Sequence, residues 1–321
     1  MDMQQLKKGM ERYRTIMEPD RNEKDWWAGA PSVLRLPDGT VLMALRMRDA
    51  IAPRGRRGYE IRLFESADGI NFKKVKGISK EEAGINGFER PALVRVPSSR
   101  KIRLFGCGEL EQGWCIWAMG DARTLADINP SSLQVVLGPE QPDVEHVGSS
   151  THHSTFEIQY KDPFITILDD TWHMFVIGFD RVERPYHFTS NDGITWEREG
   201  KNPILANTGW HDFFTRPACL LPLEVGFLLV YEGSSLNWTD PGYNIATGLA
   251  FTLDLETFHD LTPAEPLLKS TTPGTYHTWR YSHWMTSGDY LLVYFEAARE
   301  NGSNETRLAK IPLNHVQDIG D

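Results

Sequence analysis

The sequence predicts an all-β fold, a single five-bladed β-propeller, from three observations: a strand motif that returns five times, turn chemistry between its strands, and a length of 321 residues that five such units use up. The motif is an apolar strand opening at a proline. It reads Gly29-Ala30-Pro31-Ser32-Val33, Glu89-Arg90-Pro91-Ala92-Leu93, Lys161-Asp162-Pro163-Phe164-Ile165 and Thr215-Arg216-Pro217-Ala218-Cys219, with a fifth, proline-free copy at Trp279-Arg280-Tyr281-Ser282-His283-Trp284. The prolines stand 60, 72 and 54 residues apart. A strand-rich repeat of this size marks a propeller blade.

Proline has no N–H to give a ladder, so within sheets it sits on edge strands or at strand starts. The innermost strand of a blade is such an edge. A second apolar run follows each opening strand, at Thr40 to Leu45, Ile102 to Gly106, Trp172 to Ile177, Phe227 to Tyr231 and Tyr290 to Phe295. Three of the joins, Pro37-Asp38-Gly39, Asp169-Asp170 and Ser287-Gly288-Asp289, carry hairpin chemistry. The first and third copies end in nearly the same phrase, Ser66-Ala67-Asp68-Gly69-Ile70-Asn71-Phe72 and Ser190-Asn191-Asp192-Gly193-Ile194-Thr195-Trp196, which is a turn followed by a packing aromatic. The expected blades are 26–80, 86–140, 155–205, 210–268 and 276–313. The fifth shows three strands only. The segment 1–20 is expected to hold a short amphipathic helix, from Leu6, Met10 and Tyr13 at helical spacing, and then the missing outer strand around Tyr13 to Met17, closing the ring.

Hydrophobic content of 40% with 24% charged residues describes an ordinary globular chain with a sizeable core. A net charge of −10 argues against nucleic acid as a partner. No run is long and apolar enough to cross a bilayer, and no apolar signal core follows Met1, so a cytoplasmic protein without a membrane partner is expected. Cys107, Cys115 and Cys219 have no metal-ligand spacing, and their odd number argues against a complete disulfide framework. No metal and no organic cofactor is expected, and oligomeric state is left open. The lysine run Lys73 to Lys76 reads as a solvated strand edge. The arginines of Arg54 to Arg57 lie in a long loop that can reach a binding face.

Charged residues stand before the prolines where a structural strand would be apolar: Arg90, Asp162 and Arg216, with Arg280 or Ser282 as the fifth counterpart and Ala30 in the first copy. Clustered ionisable groups of this kind mark functional pockets or neutralising networks. Arg90, Arg216 and Arg280 are candidates for a three-arginine clamp on an anionic group, since guanidinium forks suit carboxylate, sulfate or phosphate. The alternative is that each pairs with a neighbouring carboxylate. Trp27, Trp210, His211 and His283, with Trp26, Trp279 and the loop residues His152 and His153, thicken the same rim. Indole faces stack on sugars and imidazoles bond hydroxyls, although either residue also serves as core filler.

These features resemble the five-bladed propeller glycoside hydrolases, families 43, 32, 62 and 130 and their relatives. The resemblance is carried by the five-fold layout, the Asp162-Pro163 pair and the Ser-x-Asp-Gly phrases, which are similar to the sialidase Asp-box but one residue shorter. In the fourth copy, Gly226 to Gly233, Tyr243 to Ala250 and Pro263 to Leu268 resemble the family 130 mannoside phosphorylases and hydrolases. The resemblance implies a glycoside hydrolase acting on an oligosaccharide with two carboxylates at the axis. It implies a catalytic or acid-orienting role for Asp162; Glu89, beside an inner strand, and Glu232, at the end of a second strand, complete the candidate catalytic set by position, with Glu109 and Glu296 as further candidates. The general base that family 43 carries in the first blade would fall at Ala30 and is missing. Where family 130 phosphorylases often have His before Gly, this chain has Glu232, which favours water over phosphate. Phosphorolysis and glycan binding without cleavage are the alternatives, and an acidic sugar is an open substrate class.

Overall fold

The computed structural model describes residues 3–53, 55–97, 99–140, 157–239, 244–270, 272 and 276–313. The chain opens with α1 (Met3–Met10) and β1 (Tyr13–Met17), then runs through β2 (Trp27–Arg35), β3 (Val41–Arg48), β4 (Gly58–Ser66) and β5 (Lys73–Ser79). After the single turn α2 (Lys80–Ala83) come β6 (Ala92–Arg95), β7 (Ile102–Leu110), β8 (Gly113–Ala122) and β9 (Gln134–Leu137). The third run is β10 (Gln159–Leu168), β11 (Thr171–Phe179), β12 (Glu183–Ser190) and β13 (Glu197–Arg198). The fourth is β14 (Phe214–Pro222), β15 (Phe227–Ser234), the short α3 (Leu236–Thr239), β16 (Ala246–Thr252) and β17 (His259–Asp260). The last is β18 (Trp279–Ser287), β19 (Tyr290–Ala298) and β20 (Asn304–Pro312).

Within each run every strand pairs antiparallel with the next. The fifth run gains its fourth strand from the other end of the chain, because β1 lies antiparallel on β20 with Tyr13 opposite Ala309 and Thr15 opposite Arg307. Residues Tyr13 to Met17 thus add the fourth strand to this group. Leu6 and Met10, on one face of α1, are buried in the same apolar cluster as Ile311. Val94, Phe105 and Ile116 of the second run pack with Ile165, Trp172 and Val176 of the third. Met43 and Phe64 of the first run pack with Tyr294 and Leu308 of the fifth, so apolar burial joins the two ends of the chain.

The turn phrases work as expected. The Ser66 hydroxyl accepts from the Asp68 and Gly69 amides, and the Asp68 carboxylate accepts from the Ile70 and Asn71 amides. Ser190 and Asp192 repeat these bonds. A third copy escapes a search for Asp-Gly because it has no glycine. In Thr252-Leu253-Asp254-Leu255, Thr252 accepts from the Leu255 amide and Asp254 from the Glu256 and Thr257 amides, with Leu255 taking the left-handed φ of 65°.

The inner strands β2, β10, β14 and β18 each carry a bulge near their start. Three bulges hold a non-glycine residue in left-handed backbone, Ala30 at φ 53°, Asp162 at 54° and Tyr281 at 52°. The register corrects the alignment of the motifs. Arg216 pairs opposite Glu232 just before its bulge, as Arg280 does opposite Glu296 and Lys161 opposite Ile177. Arg216 thus shares its place with Lys161 and Arg280, and the counterpart of Asp162 in the fifth run is Tyr281. The proline of the fourth run stands one residue early, at the place that is left-handed in the other three, and because proline cannot take a positive φ this bulge lacks the left-handed residue.

Candidate functional site

The bulges turn successive side chains of the inner strands toward a common cavity of about 1110 Å³. Glu89, Lys161, Asp162, Arg216, Arg280 and Tyr281 line it together with Glu183, the first residue of β12. Strict alternation would send neighbours such as Lys161 and Asp162 to opposite faces. The bulge is what lets both reach the cavity.

These charges neutralise one another in a chain. Glu183 holds Arg216 and accepts from Lys161 Nζ at 2.7 Å. Arg46, at the far end of the first hairpin, bonds both Glu89 and Glu296, the latter at 3.0 Å. Glu296 also takes Arg280 Nη2 at 2.8 Å, the Asn304 amide, and the Ala30 N–H at 3.0 Å. A side chain at Gly29 would collide with that carboxylate, which is why glycine stands there. Asp162 accepts from the Tyr281 hydroxyl at 3.1 Å, and from the Arg90 amide and the Cys107 thiol at 3.3 Å each.

The environment separates the carboxylates. Burial pushes Asp162 up, but Lys161, Arg216 and Arg46 outweigh it and hold the group below the usual carboxylate range. Glu183 and Glu296, also buried, are held low in the same way, by Arg216 and Lys161 and by Arg280 and Arg46 respectively. Glu232 is different. Burial lifts it to about 7 against the pull of Arg90, Arg216 and Arg280, and the Ser282 amide donates to it at 3.2 Å. Burial and the adjacent Asp162 push the Tyr281 phenol well up, so it remains a donor.

Several expected residues meet here and several do not. Glu89, Asp162, Arg216, Arg280 and Trp27 line the cavity. Glu232 lies outside its described lining, paired across β14 and β15 with Arg216. Arg90 also lies outside it: its guanidinium donates to the carbonyls of Pro217 and Ala218, the stretch of β14 bared by the bulge. The three-arginine clamp is corrected accordingly, with Arg216 and Arg280 at the cavity and held by carboxylates, and Arg90 engaged by backbone. His283 is partly buried, pushed down to about 3 by burial and Arg90, and its Nδ1 faces the Val33 amide at 3.4 Å. His211 spans Thr215 and Asp260, and Trp210 donates to the Thr262 carbonyl and stacks on Tyr231 at 5.7 Å. None of the three is among the residues lining the cavity. Trp279 stacks on Phe295 at 4.3 Å. Glu109 bonds the half-exposed Arg56 at 3.3 Å, while Gly55 and Arg57 of the arginine loop do line the cavity. His152 and His153 lie outside the described residues.

Sequence reasoning missed Lys161, Glu183 and Tyr281. Lys161 adjoins Asp162 in the motif and was readable once a bulge was assumed. Glu183 sits on a third strand, where the motif gives no signal. Among the described residues no group of three or more His, Cys, Asp or Glu is arranged to hold a metal ion.

No family model matches the chain, and no curated protein does. Solved structures do. A glycoside hydrolase superposes with a TM-score of 0.67 at 14% identity, over 97% of this chain and 95% of its own. The β-1,2-mannobiose phosphorylase of Listeria innocua gives 0.63 at 13% identity over 93% of each chain, and a thermostable family-43 glycoside hydrolase gives 0.58 at 14% over 91% of each. The chain shares the fold of the propeller glycoside hydrolases.

Proposed function

We propose that this chain is a five-bladed propeller, its five antiparallel groups of four strands being the blades, and that it hydrolyses a glycosidic bond in an oligosaccharide. The observation that carries the reading is that Glu89, just before β6, and Asp162, on β10, reach one cavity walled by Trp27, Trp114, Tyr276 and Tyr281. Two carboxylates flanking a bond, with aromatic faces for sugar rings, are what glycoside cleavage asks for. Asp162, kept ionised by three cations, takes the base or nucleophile role. Glu89, the second carboxyl facing the site, is its partner. Glu232 is assigned a positioning role: with its carboxyl lifted to about 7, it competes weakly with Glu183 for Arg216 near neutral pH.

Phosphorolysis is the second reading, favoured by the basic lining of the cavity. The contrast of Glu232 with a phosphate-binding histidine no longer weighs against it, because Glu232 is off the lining. The experiment is a screen of aryl glycosides and oligosaccharides with and without inorganic phosphate. Phosphate-independent release of a reducing sugar is expected. Turnover that requires phosphate selects the phosphorylase, and binding without turnover of any member selects a glycan-binding propeller.

A further inference from the structure

We propose that Tyr281 is the positioning residue of Asp162, its phenol holding Oδ2 so that the carboxylate keeps one acceptor position, on that same oxygen, for the reacting water or sugar. The inference rests on the carbohydrate reading above and adds a residue to it. Its first support is the set of donors around Asp162. A carboxylate offers about four acceptor positions, two on each oxygen. Oδ1 takes the Arg90 amide and the Cys107 thiol, and Oδ2 takes the Tyr281 hydroxyl at 3.1 Å. Among the described residues these donors fill all but one position, and that one lies on the oxygen that the phenol holds. Asp162 and Tyr281 both line the cavity, so the open position belongs to the site.

The second support is the backbone. Tyr281 is buried and stands in left-handed backbone at φ 52°, which is uncommon for a bulky side chain. Such strain persists where the surroundings hold it, and it collects at functional sites. Both flanks are held here. Glu296 bonds Arg280 on one side, and Glu232 accepts from the Ser282 amide at 3.2 Å on the other. Asp162 makes the same left-handed turn in the third run, at φ 54°. Two bulges of one kind thus bring phenol and carboxylate together from positions 119 residues apart. Lys161 on the same strand, Arg216 on β14 and Arg46 on β3 also face Asp162, as do Glu183 on β12 and Cys107 on β7. Arg280, Arg90 and Glu89 stand by the phenol ring. Charges at a distance favour the ionised carboxylate without choosing between its oxygens. The hydroxyl is directional and chooses one.

The test uses the full chain and follows Asp162 directly. Tyr281→Phe removes the hydroxyl and keeps the ring, whereas 3-fluorotyrosine in place of Tyr281 keeps the hydroxyl and makes it a stronger donor. A hydrogen bond to the ionised form lowers the pKa of a carboxyl. The Asp162 carboxyl, labelled with carbon-13 and assigned by its loss in Asp162→Asn, is expected to titrate about one pH unit higher in Tyr281→Phe, the shift of one charged hydrogen bond, and lower in the fluorotyrosine protein. On a saccharide that the chain cleaves, Tyr281→Phe is expected to lower kcat about tenfold or more with KM little changed, and the acid limb of the kcat profile moves up with the carboxyl. A titration unmoved in both variants overturns the inference and, where turnover remains, leaves the glycosidase reading standing. A fall in kcat with an unmoved acid limb also overturns it, since lost packing alone gives that result. Where Tyr281→Phe fails to fold, the fluorotyrosine protein decides: a downward shift upholds the inference and none overturns it. A carboxyl that moves as expected in a chain that cleaves no saccharide upholds the hold of Tyr281 on Asp162 and removes the glycosidase reading.

Discussion

Among the described residues Glu296 is the most heavily used buried carboxylate, and Glu296→Gln tests the network beneath the site. One oxygen takes Arg280 twice, at 2.8 and 3.0 Å, and the Asn304 amide; the other takes Arg46 and the Ala30 N–H at 3.0 Å each. Glutamine has the same shape, so no cavity forms. Its NH2 group, in either orientation, points a donor at two or more donors and removes the charge that balances two buried guanidinium groups. Breaking a buried pair in this way costs about 3–5 kcal/mol. Glu89 still faces Arg46, which places the expected loss near the lower end. With a urea slope of about 3 kcal/mol/M for a chain of this size, the unfolding midpoint falls by about 1 M at unchanged slope. Equilibrium urea unfolding followed by tryptophan fluorescence reads this directly. Superimposable curves for variant and wild type would refute the reasoning, since the carboxylate would then be replaceable by a neutral acceptor.

Removing residues 1–18 strips β1 from β20 and exposes the surface that covers Leu6 and Met10; at about 1.5–3 kcal/mol per buried side chain the melting temperature drops by several degrees or more, and a truncated chain melting with the full one contradicts the closure. His187 and His283 are both pushed down to about 3 by burial, with His173 beside the first and Arg90 beside the second. The unfolded chain takes up protons below about 6.5 and the folded one does not, so stability declines as pH falls from there toward 3. His283→Gln flattens part of that decline in urea midpoints measured from pH 7 to 4; an unchanged slope counts against the assignment. Glu232 has the opposite sign: its raised value favours the folded state at low pH, and that contribution is lost as pH rises through about 7. Glu232→Gln gains stability relative to wild type above pH 7, and a difference independent of pH from 5 to 9 rules this out.

The strands were legible because proline, Asp-Gly turns and alternating apolar runs are local signals. The N-terminal strand could be read as well, because the fifth group was one strand short and Tyr13 to Met17 lies antiparallel on β20. The site was legible only in part. The motif drew attention to residues before prolines, but Pro217 sits one place early, so Arg216 belongs with Lys161 and Arg280 rather than with Asp162. Tyr281 was hidden because nothing local announces a left-handed bulge in a strand without proline. Glu183 was hidden because its ion pairs reach two other strands, one of them across to the next group. Trp210, His211 and His283, expected at the rim, lie off the cavity lining, since large polar-tipped side chains can also bond between strands.

The central claim is that Asp162 and Glu89 act on a glycosidic bond, and the most direct measurement is turnover of Asp162→Asn and Glu89→Gln on a saccharide that the wild-type chain cleaves, alongside their circular dichroism. Each variant removes one charge at constant size. The account predicts losses of about a hundredfold or more for both, with native spectra and no rescue by inorganic phosphate. Near-native turnover in either variant would contradict it.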